Sequence, residues 1–428
     1  MYTKAESLLF GVLVKLHFFS SLSLPYFRTL AIDALFEGGR MSVGAISVAY
    51  LLSKGLPVEK IAYLKIIQAI VLLAGELPTG LFADAYGSKK SLLLGAISTI
   101  IGLVFYITSN SLPFFCVAEF FTAIGLCFWS GAYETFSIEI ASLNDNKGRL
   151  DRYFHQNQTI NKTSVLFMGW VGGILASKNL VLSYYVGCSL ILLSFILIYT
   201  SSIESVVHSV KIQELNPKKW ILKTTNQLGE TIKLVTGSPV LIPFIFANIL
   251  IQFCIQPILH YWQPFFEGID STITPTHLGN VFAAYCATSA FFSFIYTYLI
   301  RFSWARSTAA TIFLFSLFAI FNYLFSESSS FTQAIILFSL LQAFLALART
   351  VLSIRLNEVI PHKKRASILS AVSLISRIGM MISLFFAGLL LKNGIPVGML
   401  IKNFSILTVF ISFLLVFGFL LKKRNSDR

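Results

Sequence analysis

Charged side chains set inside long apolar runs are the groups in this sequence that could do chemistry. Arg40, Lys162 and Arg377 each lie far enough along such a run to sit roughly 15 to 18 Å deep, at about 1.5 Å of rise per helical residue. In a hydrocarbon layer about 30 Å thick that is near the middle. A cation at such depth is costly, and usually faces a cavity or the interior of a helix bundle. Together the three would give a central cavity the character to hold an anionic or zwitterionic solute. The rival reading pairs each cation with a nearby acid, as Arg40 with Glu37 at a helix-neighbour spacing. Among the acids, Asp33 and Glu37 share one helical face, and Glu119 stands at a height similar to Lys65. Buried carboxyl groups can exchange a proton near neutral pH, so Asp33, Glu37 and Glu119 are proton-coupling candidates. For Glu119 a structural pair with Lys65 is the preferred alternative. Glu76 and Glu134 read as gate or packing elements. Gln252, Gln256 and His260 recur four residues apart and form a polar stripe that could touch solute. The run HYWQPFF at 260–266 reads as the aromatic end of a span at a membrane interface.

The elements that must position these groups follow from composition. The chain has 428 residues, 56% hydrophobic and 12% charged, with a mean hydropathy of +0.76. A soluble domain carries about 25% charged residues, so this is an all-α integral membrane protein. Twelve spans are expected, at 30–53, 60–82, 89–109, 112–137, 154–176, 179–200, 239–262, 276–300, 307–325, 331–351, 366–391 and 396–421. Residues 1–29 would lie on the membrane as an amphipathic helix, with Leu8, Leu9, Val12, Leu13, Leu16 and Phe19 on one face. An extra span is the alternative. The net charge of +14 resides in the loops. One set of loops holds most of the lysines and arginines, which places that set, and both termini, in the cytoplasm. That distribution also argues against a nucleic-acid partner. The polar segment 201–238 divides the chain into six-helix bundles at 30–200 and 239–421, and 422–428 is a basic tail. Spans three, six and nine carry no charge between their ends.

Other chemistries find no footing. The five cysteines fall inside apolar spans, without CxxC or zinc spacing, so neither a disulfide nor a metal is expected. No phosphate-binding loop of the Walker type occurs, and no nucleophile–base pairing suggests an enzyme. No cofactor is expected. Asn157 and Asn161 match a glycosylation pattern, but near the cytoplasmic face, where it would mean nothing.

The stretch GELPTGLFADAYGSKK at 75–90 turns the chain between spans two and three. Its Gly80, Asp84, Gly87 and Lys90 resemble the loop between helices 2 and 3 of the major facilitator superfamily, written as Gly, three residues, Asp, two residues, Gly and then basic residues. SGAYETFSIE, YWQPFF and LNEVIPHKKRASILS also resemble text from bacterial members. The resemblance implies two six-helix bundles that rock about a central site, with Gly80, Asp84, Gly87 and Lys90 as a conformational latch. It implies a monomeric secondary transporter of the cytoplasmic membrane, with a small solute and protons as partners. Efflux is placed slightly ahead of uptake of a nutrient or siderophore, and a non-transporting sensor or scaffold is the alternative class. Two departures stand out. The matching loop of the second half, RFSWAR at 301–306, lacks Gly and Asp, and Gly169, Gly172 and Gly173 in span five lack the proline common in antiporters.

Overall fold

The computed structural model describes residues 24–143, 150–201, 229, 233, 236–360 and 365–426. Among these the chain is helical apart from short connections, with no strand. The first half holds α1 (Leu24–Gly44), α2 (Ser47–Ser53), α3 (Val58–Tyr86), α4 (Ser88–Thr108), α5 (Leu112–Leu143), α6 (Leu150–Lys178) and α7 (Leu180–Tyr199). The second holds α8 (Ile242–Ile269), α9 (Pro275–Leu299), α10 (Thr308–Ser326), α11 (Phe331–Val359), α12 (Arg365–Lys392) and α13 (Val397–Ser426). Since α1 and α2 form one broken span, this is a twelve-span membrane protein. Ten of the helices are long and apolar enough to cross a bilayer on that ground alone. The exceptions are informative. α1 carries Arg28, Asp33, Glu37 and Arg40, and α6 carries His155, Gln156, Asn157, Asn161 and Lys162.

Several boundaries differ from expectation. α1 starts at Leu24, so residues 24–29 belong to a span and not to a surface helix; the remainder of that segment lies outside the described residues. Arg28 fixes this first turn by donating to the Leu197 carbonyl at 3.0 and 2.7 Å, satisfying a carbonyl left open at the end of α7. Span one is not continuous: it breaks at Ala45 and Ile46. α3 passes through Pro78, Gly80 and Asp84 without interruption, and the reversal is made at Gly87 alone, whose φ of 93° is a region that favours glycine. Most of 201–238 lies outside the described residues.

Each half packs as its own bundle, and the halves meet along three helix pairs: α6 with α9, α3 with α12, and α2 with α8. Small residues allow the approach. A Cβ on Gly173 would stand 2.6 Å from the Gly279 Cα, and one on Gly388 would stand 3.0 Å from the Ala62 Cβ. Hydrogen bonds join Trp170 Nε1 to Asn280 Oδ1 at 3.0 Å, and Gln263 to the backbone of the α1–α2 break. All of these lie in the half of the molecule away from the basic loops. The polar contact between halves nearest the basic end, among the described residues, is Arg377 with Glu76 at 3.0 Å. Both residues stand near the middle of long helices. The seam is therefore closed from the end opposite the basic loops to about mid-depth.

Candidate functional site

α1, α5 and α6 converge on Asp33. Its Oδ1 accepts from Trp129 Nε1 at 3.2 Å, and its Oδ2 accepts from Asn157 Nδ2 at 3.1 Å and Asn161 Nδ2 at 2.8 Å. The carboxyl is 6% exposed, and no lysine or arginine pairs with it among the described residues. Trp129 is held in place by stacking on Phe36, with ring centroids 3.5 Å apart. Behind Asn157, the Tyr133 hydroxyl lies 2.9 Å from its Oδ1 and 3.0 Å from the Tyr153 hydroxyl, which donates to Ser137 Oγ at 3.0 Å. The result is a buried carboxyl group satisfied by neutral donors, at the head of a polar ladder. Asn157 and Asn161, dismissed on sequence, are the residues that hold it. Their spacing of four on a span-length helix that is unusually polar was the available signal.

Glu37, Glu119 and Glu76 have cationic partners. Glu37 takes Arg40 Nη1 on both oxygens, at 2.8 and 2.7 Å. Glu119, 1% exposed, pairs with Lys65 at 2.5 Å across α5 and α3. Glu76 takes Arg377 across the seam. Of the three mid-depth cations, Arg40 and Arg377 are thus neutralised, as the rival reading held. Lys162 has no ion pair or hydrogen bond among the described residues and is exposed. It lies near Cys286 of α9, on the face of α6 that packs against that helix two and three turns farther on through Gly169 and Gly173.

On the second half, α8 presents its predicted stripe as a chain of bonds. His260 Nε2 lies 3.1 Å from Gln256 Oε1, and Gln256 Nε2 donates to Gln252 Oε1 at 3.3 Å. Arg349 of α11, a residue that sequence reasoning passed over, donates to the same Gln252 oxygen at 3.2 Å. It has no acidic partner among the described residues. Arg349 and Gln252 line a cavity of about 310 Å³ with Asn248, Ser353, Ser373 and Ser376. Small-molecule sites begin at about that size. The signal for Arg349 was a cation inside the expected tenth span, six residues before Arg355 and with no acid within four residues of it along the helix. The HYWQPFF run is not an interface belt: Tyr261, Trp262, Phe265 and Phe266 are buried, packed on Phe325 and Phe338.

At the basic end, Gly80 stands next to Gly131 of α5, whose Cβ would meet the Gly80 Cα at 3.5 Å. Asp84 and Lys90 are exposed. Lys89 Nζ donates to the Ser201 carbonyl at 2.6 Å, and Ser88 Oγ to Glu139 Oε2 at 2.7 Å, so the start of α4 is fixed while the Asp84 carboxyl makes no hydrogen bond or ion pair with a neighbouring helix among the described residues.

No protein-family model matches the chain. Over 242 residues it is 25% identical to the uncharacterized MFS-type transporter YxaM of Bacillus subtilis (strain 168). That match spans 56% of this chain and 57% of the relative, little more than half of each. The nucleoside transporter NupG superposes with a TM-score of 0.76 over 93% of this chain and 99% of its own, at 12% identity. The chain has the major facilitator fold. A D-xylose–proton symporter agrees, with a TM-score of 0.69 over 90% of this chain and 95% of its own, at 15% identity. In a facilitator fold the two halves face one another across a central path, and the Asp33 cluster and the Arg349 cavity lie one in each half.

Proposed function

We propose that the chain is a secondary active transporter of the cytoplasmic membrane that moves a small anionic or zwitterionic organic solute by alternating access, coupled to protons. The observation that carries this reading is the Arg349 cavity. A guanidinium without an acidic partner, flanked by amides and hydroxyls, is what a carboxylate- or phosphate-bearing solute requires. Lys162, the unpaired cation of the other half, is exposed near Cys286 of α9. The basic loops mark the cytoplasmic end, with both termini on that side. The seam is closed at the other end, so this state faces inward. The exposed Asp84 fits a latch that is released in that state. Asp33 is the proton carrier, because Glu37 and Glu119 already hold cations. The protein acts as a monomer.

Efflux is the direction put forward. Uptake by symport is the second reading, favoured by α6, which packs through Gly169, Gly172 and Gly173 with no proline among them. Reconstitution into proteoliposomes with a panel of organic anions, zwitterions and neutral solutes, with and without a pH gradient, tests the proposal. Gradient-dependent flux of an anionic or zwitterionic member, reduced at least tenfold by Arg349→Ala, supports it. Absence of such flux for every class would favour a sensor or scaffold.

A further inference from the structure

The break in span one has an unusual filling. In an unbroken helix the Val48 N–H would bond the Gly44 carbonyl, and the Ala49 N–H the Ala45 carbonyl. Here both N–H groups donate instead to Gln263 Oε1 of α8, at 2.9 and 3.0 Å. The Gln263 Nε2 in turn donates to the Gly44 carbonyl at 3.1 Å. One side-chain amide from the second half has entered the backbone ladder of the first and satisfies three of its groups. Insertion of a side chain into the ladder is a recognised cause of a helix break, and no proline is present here to supply another. Gln263 is 2% exposed, and Ala45, Ile46 and Val48 around it are buried, so water does not substitute for it. Ile46 is turned out of helical geometry, at φ −131° and ψ 4°, with its N–H on the Val43 carbonyl at 3.1 Å.

We infer that Gln263 is a clasp between the halves, and that its release lets α1 and α2 join into one helix. When the halves part at this end, Gln263 leaves with α8. Three backbone groups would then be orphaned in an apolar setting, which is strongly unfavourable. They have a ready remedy, since the Val48 N–H and the Gly44 carbonyl are each other's helical partners. The segment is thus two-state: broken and clasped when this end is closed, continuous when it is open. Gln263 is a positioning residue for the transport cycle and touches no solute. The inference rests on the alternating-access reading for its purpose, but its test reads geometry and not flux.

The test compares wild type with Gln263→Leu, which keeps the bulk and removes all three hydrogen bonds. Spin labels are attached at Ser53 and Asn393, exposed tips of the two halves at this end, after replacement of the five native cysteines. Double electron–electron resonance in lipid nanodiscs gives the label–label distance distribution. Amide exchange read by mass spectrometry follows the peptide that spans 44–50. The clasp predicts that the variant raises the ratio of long-distance to short-distance molecules at least tenfold, with the 44–50 amides still protected because the helix has closed. An unchanged distance distribution in a variant that elutes and melts as a folded protein overturns the inference. So does a longer distance accompanied by rapid exchange at 44–50, because the helix would then have frayed and not joined. A clear distance shift in a protein that moves no solute would remove the transport reading and leave the clasp standing.

Discussion

Asp33 differs from Glu37, Glu76 and Glu119 in having only neutral partners. Trp129, Asn157 and Asn161 each donate to it, and taking one partner from a buried polar group costs about 1–3 kcal/mol. Asn161→Ala should therefore lower stability by about 1–3 kcal/mol, measured as a shift in thermal unfolding in detergent. Outside the membrane, Asp270 gives a pH-dependent case. The Thr272 N–H, and then its hydroxyl, hold the Asp270 carboxyl below the usual carboxylate range. A depressed folded-state value stabilises the protein above the unfolded value of about 3.9, and that contribution is lost as pH falls through the lower folded value. Asp270→Asn should thus melt slightly below wild type at pH 5 to 7, with the gap narrowing below about pH 4. Much at this scale was legible in the sequence. Asp33, Glu37, Arg40, Glu119, Gln252 and Arg377 stand out as polar groups in apolar text, and the Glu37–Arg40 and Lys65–Glu119 pairs follow from spacing and height. Asn157, Asn161 and Arg349 were missed because their meaning depends on what faces them from another helix; the four-residue spacing of the two asparagines marks a polar face but not the carboxyl group it meets.

At the scale of elements, the three pairs that close the seam make different demands. Gly173 lies against Gly279, where a Cβ would meet backbone at 2.6 Å, so neither helix can yield by turning a side chain. Gly173→Ala should hold the halves apart at this end, raising the reactivity of a cysteine placed at Asn280 toward a water-soluble thiol reagent while the protein still folds. Glu76 and Arg377 form the opposite kind of contact, polar and partly exposed, with side chains 29% and 19% accessible. A double-mutant cycle with Glu76→Gln and Arg377→Gln should give a coupling energy of about 1–2 kcal/mol, at the upper edge of what partly exposed pairs deliver. The elements themselves were readable wherever apolar length and charge agree, as in α4, α7 and α10. They were misread where tertiary partners decide. The α1–α2 break depends on Gln263, more than two hundred residues away in sequence, and the helical course of Gly80 and Asp84 depends on the turn being deferred to Gly87.

At the scale of the whole molecule, twelve spans form two halves, the seam between them is closed on one side, and each half holds a polar cluster; under the proposed function this is one state of a carrier. The two helices too polar to pass as membrane spans by composition, α1 and α6, supply Asp33, Asn157 and Asn161, so their polar side chains satisfy one another inside the bundle. The fold was legible because span count, charge asymmetry and the 75–90 turn pointed to one architecture. The candidate site was not, because its residues are divided between helices that meet only in the folded protein.

Proton movement driven by solute tests the central claim most directly. In lightly buffered proteoliposomes holding the wild-type protein, addition of a transported anionic or zwitterionic solute should change the external pH in step with solute flux. With Asp33→Asn, solute exchange should persist while the pH change disappears. Solute flux with an unaltered pH response in Asp33→Asn, or with no pH response in wild type, would contradict proton coupling through this site.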